Sequence, residues 1–266
     1  MLTLRPLSAS SPSERVGAWN AAYAGYAVPL AFDQAMLERH VRRSGIDLDL
    51  SVTGLLDRVE IGVSFAATRG SRAWIGGFGV FEPHRRRGLA TRLMQAHLER
   101  LAEAGFAETW LEVIDSNPAR EVYRRCGFVE VRRLRLFEGR PASGKGSRLL
   151  TIPQLRARHA VLNETAPTWR RDLPTLVDSI ELEGARALGV DGGYAVTADQ
   201  GERLAVLDAA VRDLPAGERL LAALAAVAGD RSMRLVDEPD GTPLALACEA
   251  AGLSNPLNQW EMARRA

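Results

Sequence analysis

The central pattern of the chain is a strand, a basic turn and an amphipathic helix between Gly76 and Gly105. Apolar side chains recur there at helical spacing while charged and amide side chains fill the opposite face. The apolar positions are Leu89, Leu93, Met94, His97, Leu98 and Leu101. Alternating patterns before this segment predict antiparallel strands over 47–56, 59–68 and 72–81. After the helix, 108–114 predicts a strand parallel to the one that precedes it, because such crossovers are right-handed.

Helix and loop signals surround this segment. Ser11-Pro12-Ser13-Glu14 combines an N-cap serine, a proline in the first turn and a glutamate three residues on, which predicts a helix start. Asp33 opens a second predicted helix. Further along, 118–126 predicts a short helix and 129–137 a last strand, and the Gly-, Ser- and Pro-rich stretch 138–147 predicts a loop.

The second half of the chain repeats the first in order. Gly62–Arg72 resembles Gly193–Arg203 at an offset of 131 residues, and Asp115–Gly127 resembles Asp240–Gly252 at an offset of 125. The six residues lost between the two blocks fall where the arginine-rich turn would recur. We therefore expect domains at 1–146 and 147–266, the second keeping the packing elements without that turn. Two unrelated α/β halves are the alternative.

Composition narrows the function classes. The chain has 266 residues, of which 46% are hydrophobic and 25% charged, as in an ordinary globular protein. Its net charge of +1 gives no signal for nucleic acid or an anionic membrane. The longest apolar run is too short to cross a bilayer, and two cysteines make no disulfide framework. These features predict a cytoplasmic protein without a metal site, and they leave a homodimer open.

The turn before the central helix has the chemistry of an anion site. Arg85, Arg86 and Arg87 precede Gly88, and small residues let backbone N–H groups approach a ligand at a helix N-terminus. Guanidinium groups can grip a pyrophosphate through paired, charge-assisted hydrogen bonds. On spacing alone, an ordinary strand-to-helix turn with a solvated basic face is equally compatible.

The sequence resembles the GNAT superfamily of acyl-CoA-dependent N-acetyltransferases from Leu2 to Phe137. The resemblance rests on Arg85-x-x-Gly88-x-Ala90 before the helix and on the block 111–128, which matches the family's later strand and helix. It implies a mixed α/β fold with two GNAT-like domains in tandem, each a mostly antiparallel sheet around a β-α-β unit. The family's usual asparagine lies seven residues before its tyrosine, whereas Asn117 lies six before Tyr123.

The resemblance implies acetyl-CoA as co-substrate, with its pyrophosphate on the backbone of the turn and its pantetheine arm along the preceding strand. Pantetheine amides can pair with a strand edge, and glycines at 76, 77 and 79 favour close approach of a ligand or another backbone. Small residues beneath bulky neighbours such as Trp74 are the alternative explanation of those glycines. The implied cofactor-binding residues are Phe78, Gly79, Val80, Arg85, Arg86, Arg87, Gly88, Leu89, Ala90, Thr91, Asn117 and Arg120.

The implied reaction is direct attack of a primary amine on the acetyl thioester. Tyr123 is the candidate general acid for the departing thiolate, although plain helix packing would also explain it. Glu112 is the candidate base, acting directly or through water, or else a structural acceptor. Backbone N–H groups of Val80 and Phe81 are candidates for stabilising the developing oxyanion.

The acceptor is the least specified part of this hypothesis. Tyr23, Tyr26 and Trp74 make the acceptor-facing region aromatic, and nothing selects one small-molecule or peptide amine over another. A non-catalytic acyl-CoA-binding or interaction protein is the alternative from another class. Nucleic-acid binding by the arginine clusters is disfavoured by the net charge and by the lack of interleaved aromatic residues.

Overall fold

The computed structural model describes residues 1–26, 28, 30–142, 144, 146–163 and 165–265. The chain forms two compact units. The first contains Met1–Val131 together with the segment that begins at Glu261, and the second contains Arg132–Trp260. The first unit is therefore built from both ends of the chain. Within the described residues, no helix combines the length and the apolar character needed to cross a membrane.

The first unit is a mixed sheet with helices. Its strands lie in the order β1-β2-β3-β4-β5, with antiparallel pairs up to β4 and a parallel pair between β4 and β5. A helix, α3, connects the two parallel strands, as the sequence predicts. The elements are β1 (Leu2–Pro6), α1 (Pro12–Ala22), α2 (Gln34–Ser44), β2 (Ile46–Leu56), β3 (Val59–Arg69), β4 (Arg72–Val80), α3 (Leu89–Glu103), β5 (Glu108–Ile114), α4 (Ala119–Arg125) and the start of β6 (Val129–Gly139).

Local chemistry sets the ends of these elements. The Ser11 hydroxyl accepts a hydrogen bond from the Glu14 backbone at 3.3 Å, and the Glu14 carboxylate accepts from the Ser11 backbone at 2.6 Å. This reciprocal capping satisfies N–H groups that a helix start leaves free. The β2–β3 hairpin turns at Asp57 and Arg58, whose φ values of 50° and 70° belong to the left-handed turn that matches strand twist.

A buried histidine ties α3 to the sheet. His97 is fully buried, and its Nε2 lies 2.9 Å from the Leu50 carbonyl oxygen within an irregular stretch of β2. A carbonyl can only accept, so Nε2 carries the proton and Nδ1 accepts from the Ser64 hydroxyl at 2.7 Å. Burial lowers the pKa of His97 to about 4, because desolvation disfavours the charged ring. His97 is therefore a neutral core residue.

The second unit repeats this architecture. Its strands lie in the order β6-β11-β10-β9-β8-β7, and β10 and β11 form its parallel pair. The elements after β6 are β7 (Arg148–Leu149), α5 (Ile152–Leu162), α6 (Leu173–Glu183), β8 (Arg186–Val190), β9 (Gly193–Asp199), β10 (Arg203–Val211), α7 (Leu214–Ala228), β11 (Ser232–Pro239), α8 (Pro243–Ala250) and the part of β12 (Ser254–Arg265) up to Trp260.

A β-bulge marks the same place in both halves. The β3–β4 register skips Gly76, and the β9–β10 register skips Leu207. The two positions differ by 131 residues, which is the offset of the first repeat block. A bulge bends its strand at a fixed point. In each unit it therefore turns the bulged strand, β4 or β10, away from its parallel neighbour. The tandem organisation expected from the sequence repeat is confirmed.

Candidate functional site

The parallel strands of the first unit pair at one end and separate at the other. The β4–β5 ladder consists of Arg72–Glu108, Ala73–Thr109 and Trp74–Trp110, and the described residues beyond the bulge at Gly76 add no further pair. Backbone groups at this edge of β4 are thus open to an added hydrogen-bonding partner. We refer to the gap between the unpaired parts of β4 and β5 as the cleft, and the predicted pantetheine strand, Phe78–Val80, lies on one side of it.

The N-terminus of α3 lies at the end of β4 and differs from most helix starts in the protein. Six helices carry a side-chain cap at the N-cap residue, namely Ser11, Asp33, Thr151, Asp172, Asp213 and Thr242. The N-cap of α3 is Gly88, and no described side chain caps it. The first turn, Leu89 to Thr91, therefore presents backbone N–H groups with the positive end of the helix dipole.

The turn before α3 has a shape suited to an anion. Arg86 and Gly88 both have positive φ, of 59° and 71°, and a side-chain carbon added at Gly88 would have nothing within 4 Å. Arg86, Arg87 and Gly88 are exposed. Backbone alternating between left- and right-handed conformations turns successive N–H groups to one side, which makes an anion-binding concavity. Two exposed guanidinium groups therefore flank an open nest.

Arg85 does not share this exposed arrangement. Its Nε donates to the Val80 carbonyl at 2.9 Å, and one terminal nitrogen donates to Ala22 at 3.1 Å and Ala24 at 2.9 Å. The Arg85 guanidinium is therefore engaged within the protein, and only the side chains of Arg86 and Arg87 are available to a pyrophosphate. The backbone of Arg85 remains part of the turn.

The three glycines of β4 are explained by the protein's own packing. A side-chain carbon at Gly76 would lie 2.2 Å from the Trp74 ring, and one at Gly77 would lie 2.5 Å from the Trp19 ring. At Gly79 it would lie 2.9 Å from both the Cβ and the carbonyl oxygen of Ala22. Close approach of α1 and of bulky rings accounts for these small residues, so the glycines themselves are no evidence for a ligand.

Three of the four tyrosines of the chain gather beside this cleft. Tyr123 of α4 is 7% exposed, and its ring centroid lies 6.0 Å from Phe78 of β4. Burial raises the pKa of Tyr123 well above its ordinary value, and the neighbouring phenols of Tyr23 and Tyr26 raise it further. The Tyr123 phenol is therefore held in its protonated form, as a proton donor must be.

The candidate base is engaged by another predicted residue. The Trp74 indole donates to the Glu112 carboxylate at 2.8 Å, and Trp74 is only 3% exposed. This bond orients Glu112 on β5, and it places Trp74 beneath the carboxylate rather than on an acceptor surface. One part of the predicted oxyanion contact is wrong, because the Phe81 N–H donates to the Ile61 carbonyl at 2.8 Å and is not available.

The two candidate residues near α4 have structural partners. The Asn117 side-chain oxygen accepts from the Ala119 backbone at 2.9 Å, which covers the start of this short helix. Arg120 donates to Glu130 at 2.7 Å and to Asp115 at 2.6 Å. Both side chains therefore stabilise the turn that presents Tyr123.

At the equivalent site of the second unit, charged side chains of the protein occupy the helix start and the strand ends, and a cavity of about 470 Å³ lies beside them. The Asp213 carboxylate caps α7, accepting from the Ala216 backbone at 2.8 Å. Between the separating strands, the Arg171 guanidinium donates to the carbonyl of Ala209 on β10 at 2.6 Å and to that of Asp237 on β11 at 2.7 Å. Arg171 also binds the buried Asp208 and Glu238 carboxylates, each at 2.7 Å.

Asp213 and Arg171 were missed by sequence reasoning for different reasons. Asp213 stands immediately before Leu-Pro, which is a helix-start signature that the sequence does contain. Arg171 reaches partners 37 to 67 residues away, and no local pattern reports such contacts.

Comparison with known proteins places these features in a family context. Residues 52–128 match the family model described as Acetyltransferase (GNAT) family. An N-alpha-acetyltransferase of Sulfurisphaera tokodaii is 32% identical over 113 residues, which cover 40% of this chain and 66% of that protein. The chain thus spans just under two thirds of that curated relative.

Solved structures resemble the whole chain in fold. A GCN5-related N-acetyltransferase from Sphaerobacter thermophilus superposes with a TM-score of 0.69 at 15% identity, covering 99% of this chain and 95% of that one. A tandem GNAT protein from the clavulanic acid biosynthesis pathway gives a TM-score of 0.67 at 16% identity, covering 100% and 98%.

Proposed function

We propose that this chain is an acetyltransferase of the GNAT type, whose family model matches residues 52–128, and that its first unit transfers an acetyl group from acetyl-CoA to a primary amine. The observation that carries the proposal is the uncapped N-terminus of α3, flanked by Arg86 and Arg87 at the open end of β4. These groups fit a pyrophosphate, since helix N–H groups and guanidinium groups both favour it. The adjacent edge of β4 fits the amides of a pantetheine arm.

The remaining roles follow from the side chains beside this cleft. Acetyl-CoA would supply the activated acetyl group, and the free amine would attack it directly. Tyr123, kept protonated by burial, would give its proton to the departing thiolate. Glu112, oriented by Trp74, would accept a proton from the amine directly or through a water molecule. The Val80 N–H remains the candidate contact for the developing negative charge on the carbonyl oxygen.

A single acetyl-CoA site per chain is part of this proposal. In the second unit, Asp213 places a negative charge where a pyrophosphate would lie, and the Arg171 guanidinium occupies carbonyls of both separating strands. The Asp213 carboxylate would repel a pyrophosphate, and the carbonyls bound by Arg171 would not be available to a pantetheine arm. The second unit would then serve the fold of the chain rather than a second reaction.

The acceptor class remains part of the proposal. The curated relative is described as an N-alpha-acetyltransferase, which makes peptide α-amines the first acceptors to test. Small-molecule amines form the second group. Tyr23 and Tyr26 are the proposed acceptor-side residues, whereas the buried Trp74 would act only by orienting Glu112.

A two-part experiment separates catalysis from mere binding. Acetyl-CoA affinity is measured by calorimetry, and a library of peptides and small amines is then screened for acetylated products by mass spectrometry and for released thiol. Binding with at least one acetylated product supports the proposed function. Tight binding with no product and no thiol from any amine would instead favour the acyl-CoA-binding alternative.

A further inference from the structure

Arg85 joins three backbone carbonyls that come from two separate elements. Its Nε binds the last residue of β4, Val80, whereas its terminal nitrogen binds Ala22 and Ala24. Ala22 is the last residue of α1, and Ala24 lies in the loop that follows. The guanidinium thus fixes the position of the α1 C-terminus relative to the end of β4.

These contacts meet a specific need of α1. The last carbonyls of a helix have no partner within the helix, and the negative end of its dipole favours a cation. The last turn of α1 contains no basic residue, so Arg85 supplies the missing charge from 61 to 63 positions away. A planar guanidinium can donate to several carbonyls at once, which a lysine ammonium cannot reproduce with the same geometry.

The segment that Arg85 holds carries two tyrosines of the proposed acceptor side. Tyr23 caps α1, and the Tyr26 backbone donates to the Tyr23 carbonyl at 3.0 Å. Their ring centroids lie 5.3 Å apart in an edge-to-face arrangement. Burial raises the pKa of Tyr123, the proposed acid, and the phenols of Tyr23 and Tyr26 raise that pKa further.

The two sides of this contact leave little freedom for the loop. Gly79 of β4 packs against Ala22 so closely that a side-chain carbon there would lie 2.9 Å from the Ala22 carbonyl oxygen. Arg85 holds the same Ala22 carbonyl at 3.1 Å. Packing at Gly79 and hydrogen bonding at Arg85 therefore fix the Tyr23–Tyr26 segment jointly.

We propose that the Arg85 side chain positions the Tyr23–Tyr26 segment for the acceptor amine, while Arg86 and Arg87 bind acetyl-CoA. The proposal rests on the acetyl transfer proposed above. It divides three adjacent arginines between the two substrates: one side chain turns inward to the acceptor segment, and two face the anion nest. Misplacement of a binding segment by about 1 Å can reduce a rate by about a hundredfold, so Arg85 would act strongly without touching either substrate.

The test compares Arg85→Gln with the matched variant Arg87→Gln, which removes the same charge two positions away. For Arg85→Gln we expect the KM of the acceptor amine to rise about tenfold or more, with the Kd of acetyl-CoA changed by less than about twofold. For Arg87→Gln we expect the Kd of acetyl-CoA to rise about tenfold or more, with the KM of the acceptor amine changed by less than about twofold. Hydrogen exchange of peptides containing Ala22–Tyr26 should accelerate in Arg85→Gln alone, since only that variant releases the segment.

Three results would overturn the proposal. The first is an acetyl-CoA Kd weakened equally in both variants with unchanged exchange at Ala22–Tyr26. The second is an unchanged acceptor KM in Arg85→Gln. If Arg85→Gln fails to fold, Arg85→Lys is tested instead, because it keeps the charge and loses the geometry that binds three carbonyls. The third overturning result is full activity of Arg85→Lys. If wild-type protein acetylates no amine, the proposed function fails, and hydrogen exchange still decides whether Arg85 holds the segment.

Discussion

The Asp213 carboxylate accepts a hydrogen bond of 2.8 Å from the Ala216 backbone at the start of α7. The matching helix of the first unit starts at Gly88, where the described side chains provide no cap. A carboxylate at a helix N-terminus uses the same N–H groups and the same positive potential that a phosphate would use. The second half therefore supplies its own anion, whereas the first half has no described side-chain cap at this position, which is where we propose that a pyrophosphate binds.

If the proposed acetyl-CoA site is correct, this relationship predicts that Gly88→Asp weakens acetyl-CoA binding by the first unit. The new carboxylate would compete with the pyrophosphate for the N–H groups of α3 and repel its charge. We expect the Kd of acetyl-CoA to rise at least about tenfold beyond the effect of Gly88→Ala, equivalent to about 1.4 kcal/mol. Calorimetric titration at two salt concentrations measures both variants.

Gly88→Ala is the control because it imposes a left-handed strain at φ 71° that is at least as large as that of aspartate, without the charge. A side-chain carbon at this position has nothing within 4 Å, so a steric clash does not contribute. The comparison of the two variants therefore separates the effect of charge from the effect of backbone strain. Equal weakening by the two substitutions, independent of salt, would contradict the assignment of this turn to an anion.

Tyr123→Phe tests the proposed proton donor. The ring keeps its place beside Phe78 and Phe128, and the hydroxyl is lost. We expect kcat to fall about a hundredfold, as for loss of a general acid, with the acetyl-CoA Kd unchanged. Steady-state kinetics and calorimetry measure the two quantities, and thermal unfolding checks the packing.

The pH profile gives this prediction a second readout. Burial raises the pKa of Tyr123, so the phenol stays protonated through the pH at which an exposed tyrosine ionises. We therefore expect the kcat of wild-type protein to show no decline from tyrosine ionisation as the pH approaches 10. Full turnover by Tyr123→Phe would remove Tyr123 from the mechanism.

Local signals in the sequence predicted much of the fold. The Ser11 cap, the turn at Asp57 and Arg58, the α3 helix and the two-part repeat each depend on residues close in sequence. The turn before α3 could also be predicted, because an arginine run before a glycine and a helix is a local pattern, and its role as an anion site stays a proposal. The family resemblance gave these elements their order.

The side-chain assignments within the site were harder to predict. Arg85 bonds to carbonyls 61 and 63 positions away, and Trp74 bonds to Glu112 across 38 positions. Which of three adjacent arginines turns inward depends on where α1 ends in space, and the sequence pattern contains no signal for that. The use of residues after Trp260 by the first unit is likewise a tertiary property.

The lowered pKa of His97 predicts that acid reduces the stability of the first unit. Its pKa in the folded protein is lowered to about 4, below the ordinary value of 6.5, so the unfolded chain binds a proton that the folded chain excludes. The free energy of unfolding should therefore fall as the pH falls from about 6.5 to about 4, by about 3 kcal/mol in total. Urea denaturation across this range measures the slope.

His97→Gln tests the origin of that slope. A glutamine can donate to the Leu50 carbonyl and accept from Ser64, but it does not titrate. Carboxylates also titrate in part of this range, so the comparison with wild-type protein isolates the histidine. An unchanged slope between pH 6.5 and pH 5 in the variant would assign the acid sensitivity to other groups.

The burial of Met262 predicts that the segment after Trp260 stabilises the first unit. Met262 is fully buried within the segment that the first unit takes from beyond Trp260. Met262→Ala should lower the free energy of unfolding of the first unit by about 2–5 kcal/mol, because it removes buried apolar atoms and leaves a cavity.

Val59→Ala, at a residue that is 54% exposed, is the control and should change the free energy of unfolding little. Added acetyl-CoA, the ligand proposed for the first unit, identifies the relevant transition, because a bound ligand raises the unfolding temperature of the unit that binds it. If Met262→Ala leaves the acetyl-CoA-sensitive transition in place and shifts a different one, the C-terminal segment contributes to the second unit instead.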